Sequence, residues 1–381
     1  MHRLKTRSIT STLTVAGAAL LVALCTGGCA DDGGGGDGSE ESGGADSGDS
    51  GTADSGGPVE LALLDCPSPG ALPFETMVTE LETEAGQEAA MNPRIKDEAS
   101  DLLGVPGGVF GYTTMAVTEA TGTGALLVEG KKARTTPDMG LNSIPVPGEW
   151  VSLWSWDGSA WSQLDRVQTD EDGDYAFTGL DATVDTLQPY YSVLEGDGTC
   201  AAHYMFLLST DTPIIVTDID ATLTESDGEL FMQASNGDYD PLEKAGASQL
   251  ANAWADKGYT IVYLTARPHV FRAETRAWLS DHGFPIGPLI TANSLVIDDT
   301  AREYKGTWVT RMRDDFGWRV AAAYGNAISD IEAFADGGIP TEITFIIGEN
   351  AGEMDTVPID GNDYTAHIAD FVQPHPDASE F

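Results

Sequence analysis

The chain has 381 residues, 41% of them hydrophobic, and carries 61 acidic against 19 basic side chains, a formal net charge of −42. That length allows two or three domains with a substantial core. So large a negative charge argues against a nucleic-acid partner and against electrostatic attraction to anionic membranes, and it favours solubility and cation binding.

His2, Arg3, Lys5 and Arg7 make a basic start, and residues 12–25, TLTVAGAALLVALC, are apolar but short for a membrane span. Small residues then precede Cys29 in TGGCADD. The pattern resembles a bacterial lipoprotein signal, with residues 1–28 removed and Cys29 lipid-modified, although Thr26 stands where leucine is usual. The resemblance implies an exported lipoprotein of the bacterial cell envelope, anchored to the membrane through Cys29; ordinary secretion with cleavage nearby is the alternative. Residues 29–57 are almost wholly Gly, Asp and Ser after the cysteine, with no Lys or Arg, and read as a disordered tether. Cys25 falls in the signal, which leaves Cys66 and Cys200 as an even pair in an exported chain. A disulfide between them is expected, two buried free thiols being the alternative.

Residues 58–209 are expected to hold a helical segment and a β-sandwich domain. The helical stretch lies within 74–104 and is interrupted at Pro93. From about residue 105, runs such as EWVSLWSW, DYAFTGL and YYSVLEG alternate with Gly, Asp and Pro turns, which predicts a small antiparallel sandwich. TDEDGDYAFTGL resembles the turn and strand of transthyretin-like or carboxypeptidase-regulatory-like modules. Its acids at 170–174 read as an acidic β-turn before a Ca²⁺ loop, because most of a ligand loop is missing. Trp150, Trp154, Trp156 and Trp161 read as core and strand-face aromatics before a sugar platform.

From residue 210 to 381 strands and helices alternate. IIVTD is a strand; residues 241–257 read as a helix with Asp240 as N-cap and Gly258 after its end. YTIVYLT is a strand, 269–282 a helix closed by Gly283, and 300–316 another helix. RVAAAYGN and TEITFIIG are strands with SDIEAFAD as a helix between them. This predicts an α/β domain with a doubly wound parallel sheet, whose ligands bind at the carboxyl ends of the strands.

The run IIVTDIDATLT, residues 214–224, carries the strongest signal. Alternation along a strand sends Asp218 and Asp220 to one side and Ile219 into the core. Two carboxylates at the end of a buried strand are costly without positive charge between them. A divalent cation with oxygen ligands meets that need, and Mg²⁺ is the usual one in phosphate chemistry. Among 61 acidic residues a D-x-D pair also arises by chance, but the apolar run before it and the residues downstream do not.

Asp218-Ile219-Asp220-Ala221-Thr222 resembles the first motif of the haloacid-dehalogenase-like phosphatases. Thr265 resembles the second, Lys305 in AREYKGTW the third, and Gly325-Asn326 through Asp330 the fourth. YLTARP and YGN…D are most similar to the LNS2-like domain shared by lipin-type phosphatidate phosphatases and the C-terminal part of membrane-associated phosphatidylinositol-transfer proteins. The resemblance covers residues 210–372 and implies an aspartyl-phosphate mechanism. In it Asp218 is the nucleophile and Asp220 the acid and base. Thr265 binds phosphoryl oxygens and Lys305 stabilises charge on the attacked group. Mg²⁺ is held by Asp218, the main-chain carbonyl of Asp220, and Asp330. Thr222 and Asn326 join the substrate-binding set, as does Arg267, whose alternative is a surface ion pair. Ala221 stands where glycine is common, and Asn326 where many relatives carry an acid.

Neither 224–240 nor 268–305 has room for a cap domain, so the implied fold is capless. An open site suits a large phosphorylated substrate, foremost phosphatidate or another lipid phosphate. Some transfer-protein relatives lack the first aspartate and bind phosphatidic acid without hydrolysing it. A non-catalytic phosphatidic-acid-binding module is therefore one alternative, and a tethered scaffold or adhesion protein another. The sequence leaves the oligomeric state open.

Overall fold

A continuous apolar run, residues 204–208 on the last strand of the N-terminal half, decides the architecture, because its side chains alternate between two cores. The computed structural model describes residues 108–111, 115–118, 123–135, 143–145, 147–156, 160–183, 186–195, 200–235, 239–292, 296 and 298–381. The expected signal, Cys29, the tether, the 74–104 helix and Cys66 lie outside these residues, and so does the Cys66–Cys200 pairing.

The first half is all β: β1 (Gly108–Gly111), β2 (Met115–Thr118), β3 (Thr123–Thr135), β4 (Ser143–Pro145), β5 (Trp150–Trp156), β6 (Trp161–Gln168), β7 (Asp174–Thr183), β8 (Thr186–Leu194) and β9 (Cys200–Ser209). Strands β1, β3, β4 and β7 form one sheet, and β2-β9-β8-β5-β6 the other. The pairings are antiparallel except β2 with β9. Val128, Val151, Leu153, Phe177, Leu194, Met205 and Leu207 fill the space between the sheets. Residues 170–174 form a turn in which an Asp170 carboxylate oxygen accepts the main-chain N–H groups of Asp172 and Asp174, both at 2.9 Å. Of the four tryptophans, Trp154 is buried and Trp150 lies under the Arg166 guanidinium at 3.8 Å. Trp161 meets Tyr191 edge-on at 4.9 Å.

The second half is a parallel six-stranded sheet in the order β12-β11-β10-β13-β14-β15. Its strands are β10 (Pro213–Thr217), β11 (Thr260–Pro268), β12 (Leu289–Ala292), β13 (Arg319–Gly325), β14 (Thr344–Ile347) and β15 (Val357–Ile359). The longer helices are α1 (Gly228–Ser235), α2 (Ala247–Asp256), α3 (Arg272–Asp281), α4 (Asp298–Thr310) and α5 (Ile328–Asp336). Odd and even residues of the central strands feed opposite faces. Ile215, Ile261 and Tyr263 pack with Leu250 and Trp254 of α2 and Trp278 of α3. Ile214, Val216, Val262 and Leu264 pack with Val309 of α4 and Phe334 of α5. The second face is shared with β9, whose Tyr204, Phe206 and Leu208 join this core while Met205 and Leu207 join the sandwich core.

One expected helix starts later than its sequence suggests. Residues 241–245 are not helical: Glu225 N–H donates to the Leu242 carbonyl and Lys244 N–H to the Leu223 carbonyl, both at 2.8 Å. The Glu229 carboxylate accepts the Leu242 N–H at 2.9 Å. This long-range pairing outweighs local helix propensity, and Asp240 lies instead 3.1 Å from His282. The helix begins after Gly246, at φ +78°, with the Glu243 carboxylate accepting Ser248 N–H at 2.7 Å.

Candidate active site

Strand order reverses around β10, with β11 on one side and β13 on the other, and the carboxyl ends of these strands meet there. Asp218 follows β10 directly, its N–H donating to the Tyr324 carbonyl at 3.0 Å. Its side chain is buried, and one carboxylate oxygen accepts from the Lys305 ammonium at 2.6 Å. The same ammonium reaches Asp330 at 2.6 Å. Asp330 sits in the first turn of α5, where its other oxygen accepts the N–H groups of Asn326 and Ala327 at 3.1 Å each. Gly325 is required by this closeness: a Cβ there would lie 2.6 Å from the Asp330 Cβ. The Thr222 hydroxyl lies 3.2 Å from both an Asp218 carboxylate oxygen and the Asn326 side-chain oxygen.

Asp220 faces a different cation. The Arg267 guanidinium grips its carboxylate through Nε and Nη2 at 2.8 to 3.1 Å and donates through Nη1 to Thr275 of α3 at 3.0 Å. The Thr265 hydroxyl is directed at Asp220 from 3.4 Å and accepts the Arg267 N–H at 3.1 Å. Arg267 is fully buried, so here it meets Asp220 and α3 rather than the surface.

Two carboxylates sharing one ammonium are short of positive charge. Burial pushes the Asp218 carboxyl up to about 7; Lys305 opposes the rise, and Asp330 and Asp220 add to it. Burial works against the Lys305 ammonium, but Asp218 and Asp330 outweigh it and raise its pKa. Among the described residues no group of three His, Cys, Asp or Glu side chains is set to hold a metal ion. The pair Asp218 and Asp330 is what a cation would find, with main-chain or water oxygens completing its shell.

These expected residues lie at one site in two hydrogen-bonded groups, Asp218, Thr222, Lys305, Asn326 and Asp330 in one and Asp220, Thr265 and Arg267 in the other. One acid in it was not anticipated. Asp227, at the rim, has its pKa raised by partial desolvation and then by Asp220, while a hydrogen bond from Asn326 acts the other way. Its only signal in the sequence is an acid nine positions after Asp218, invisible in so acidic a chain.

Residues 215–348 match the family model described as the PITM 1-3 LNS2 domain. The relatives agree. Protein retinal degeneration B of Drosophila melanogaster is 29% identical over 237 residues, 60% of this chain and 18% of that protein. Membrane-associated phosphatidylinositol transfer protein 3 of Mus musculus is 30% identical over 182 residues, 48% of this chain and 18% of that protein. The chain thus spans less than a fifth of the length of these two relatives. Among solved structures, phosphoserine phosphatase in apo form aligns with 42% of this chain and 99% of its own at 12% identity, with a TM-score of 0.30, too loose to bear on function.

Proposed function

We propose that the α/β half of this chain is a Mg²⁺-dependent phosphomonoesterase acting through an aspartyl-phosphate, with phosphatidate or another lipid phosphate as its substrate class. One observation carries the reading: a buried Asp218 is held at the carboxyl end of the central strand beside Asp330, each carboxylate 2.6 Å from the shared Lys305 ammonium. The Asp218 carboxylate attacks phosphorus, the new P–O bond forming as the bond to the leaving oxygen breaks. Asp220, the more exposed of the two at 19% against 5%, gives its proton to that oxygen and later takes one from the water whose attack on phosphorus breaks the bond to the Asp218 oxygen and frees phosphate. Lys305 and the Thr222 hydroxyl fix the nucleophile, and Arg267 and Thr265 fix the acid. The excess of carboxylate over ammonium fits a divalent cation, which Asp218, Asp330 and the Asp220 carbonyl would hold. When bound it supplies charge that screens the phosphate from the carboxylates.

The lipid assignment rests on the kinship of residues 215–348 with domains of phosphatidylinositol-transfer proteins. The lipoprotein anchor at Cys29 would bring the site to a membrane. A phosphate-release screen of lipid phosphates, sugar phosphates and nucleotides, with and without Mg²⁺, tests the reading. Turnover of phosphatidate by the wild type and none by Asp218→Asn is expected, a loss on the order of a thousandfold or more. Binding of phosphatidate without release would favour a sensing module. Turnover of soluble phosphates alone would keep the phosphatase and remove the lipid.

A further inference from the structure

The matched stretch ends at residue 348, yet the loop carrying Asp220 and Thr222 is braced by residues beyond it. Tyr364 is fully buried, and its hydroxyl donates to the Thr222 carbonyl at 2.9 Å. Its own N–H donates to the Ala245 carbonyl at 3.0 Å. Its ring meets Tyr324 edge-on with centroids 6.2 Å apart, and the Tyr324 carbonyl is the acceptor of Asp218 N–H. Two residues earlier, the Asn362 side chain accepts from the buried Lys244 ammonium at 2.9 Å and donates to the Glu225 carboxylate at 3.3 Å. The same ammonium donates to the Glu225 carbonyl at 3.0 Å. The middle of the loop after the nucleophile, at Thr222, and its far end, at Glu225, are therefore tied to one short segment.

We infer that Tyr364, with Asn362, is a positioning residue: it fixes Thr222 from behind, and through the Thr222 hydroxyl it fixes the carboxylate of Asp218 and the side chain of Asn326. The chain of contacts is continuous. Tyr364 holds the Thr222 main chain, and the Thr222 hydroxyl stands 3.2 Å from Asp218 and from Asn326. Neither Tyr364 nor Asn362 touches the reacting atoms. A nucleophile is useful only when held within a few tenths of an ångström of its line of attack, so a brace behind the loop acts on turnover and leaves substrate binding alone.

The inference rests on the proposed phosphatase, and the experiment separates the two. In the full chain, Tyr364→Phe keeps the ring and removes the hydroxyl. Hydrogen exchange is followed on peptides spanning 219–225, where the N–H groups of Thr222, Leu223 and Thr224 bond the Ile219 carbonyl, and on β11 and β13 as internal references. Exchange in 219–225 is expected to rise about tenfold with the references unchanged. With para-nitrophenyl phosphate and Mg²⁺, kcat is expected to fall about tenfold with KM held within about twofold. Asn362→Gly, which suits the φ of +54° at that position, should act in the same direction and more weakly. Unchanged loop exchange, an equal rise in all peptides, or faster loop exchange with full kcat would each overturn the inference. If the wild type releases no phosphate, the phosphatase reading fails, and the exchange data still decide whether the brace exists.

Discussion

Lys305 and Arg267 are both buried cations at the same end of the same sheet, yet they face opposite electrostatic situations. Lys305 is one ammonium between two carboxylates, Asp218 and Asp330. Arg267 turns Nε and Nη2 of its guanidinium to one carboxylate, Asp220, and Nη1 to a neutral hydroxyl. The first arrangement carries less positive than negative charge, so a further cation or a proton would be stabilised there. The second is complete. What the pair teaches is that a point charge suits a site that must admit another ion, whereas a planar fork suits one that must hold a carboxylate in a single orientation.

The largest break in this comparison is Lys305→Met. It leaves Asp218 and Asp330 buried with no cation between them, so stability should drop by about 3–5 kcal/mol and phosphate release should vanish. Urea unfolding beside a phosphate-release assay measures both. A loss under 1 kcal/mol would mean that the two carboxylates are better solvated than their burial implies. Next comes Arg267→Lys, which keeps the charge and loses the fork. A fall in kcat of about 10- to 100-fold is expected, with a smaller loss of stability, about 1–3 kcal/mol. Wild-type kcat in this variant would show that orientation of Asp220 does not matter.

A pH series sharpens the contrast without changing a residue other than the control. The Asp218 carboxyl is raised from 3.8 to about 7 by burial, against the pull of Lys305 and with the push of Asp330 and Asp220. The folded state therefore favours the protonated form. The stability this gives is complete below the unfolded value and fades as pH rises towards the folded one. In Mg²⁺-free buffer the Tm of the wild type should fall between about pH 5 and about pH 7, and that of Asp218→Asn should fall less. Parallel curves would locate the titration elsewhere. The smallest effect is expected at Ala221, whose φ of +53° is left-handed. Relief of that strain, partly offset by the added freedom of the unfolded chain, should let Ala221→Gly gain about 0.5 kcal/mol in urea unfolding.

The placement of most of the site was legible because apolar runs lead into its residues: IIVT before Asp218, YTIVYL before Thr265, RVAAAYG before Asn326; the strand of Thr265 runs on to Pro268, and Lys305 lies on α4. The helices α3 and α5 were legible from their place between strands and, for α3, from Gly283 behind it. What stayed hidden depends on partners distant in sequence. Residues 241–245 look helical until Leu223 and Glu225 are seen to pair with them. The surface ion pair that was the alternative for Arg267 gives way to its buried bonds with Asp220 and Thr275, which no local pattern marks. Asp227 has no local mark that distinguishes it from the other acids. Tyr364 lies 142 positions from the carbonyl it supports, farther than any local pattern reaches.

Between His203 and Leu208 strand β9 has no outer face. One set of its side chains, Met205 and Leu207, belongs to the sandwich core, and the other, Tyr204, Phe206 and Leu208, to the core beneath the parallel sheet. Melting either half strips one side of that strand and exposes large apolar groups of the other half to water, a cost neither half meets alone. The two halves should therefore denature as one cooperative event, with a single calorimetric peak whose van't Hoff and calorimetric enthalpies coincide. A cut placed just after β9 would accordingly yield two unstable fragments in place of two independent modules.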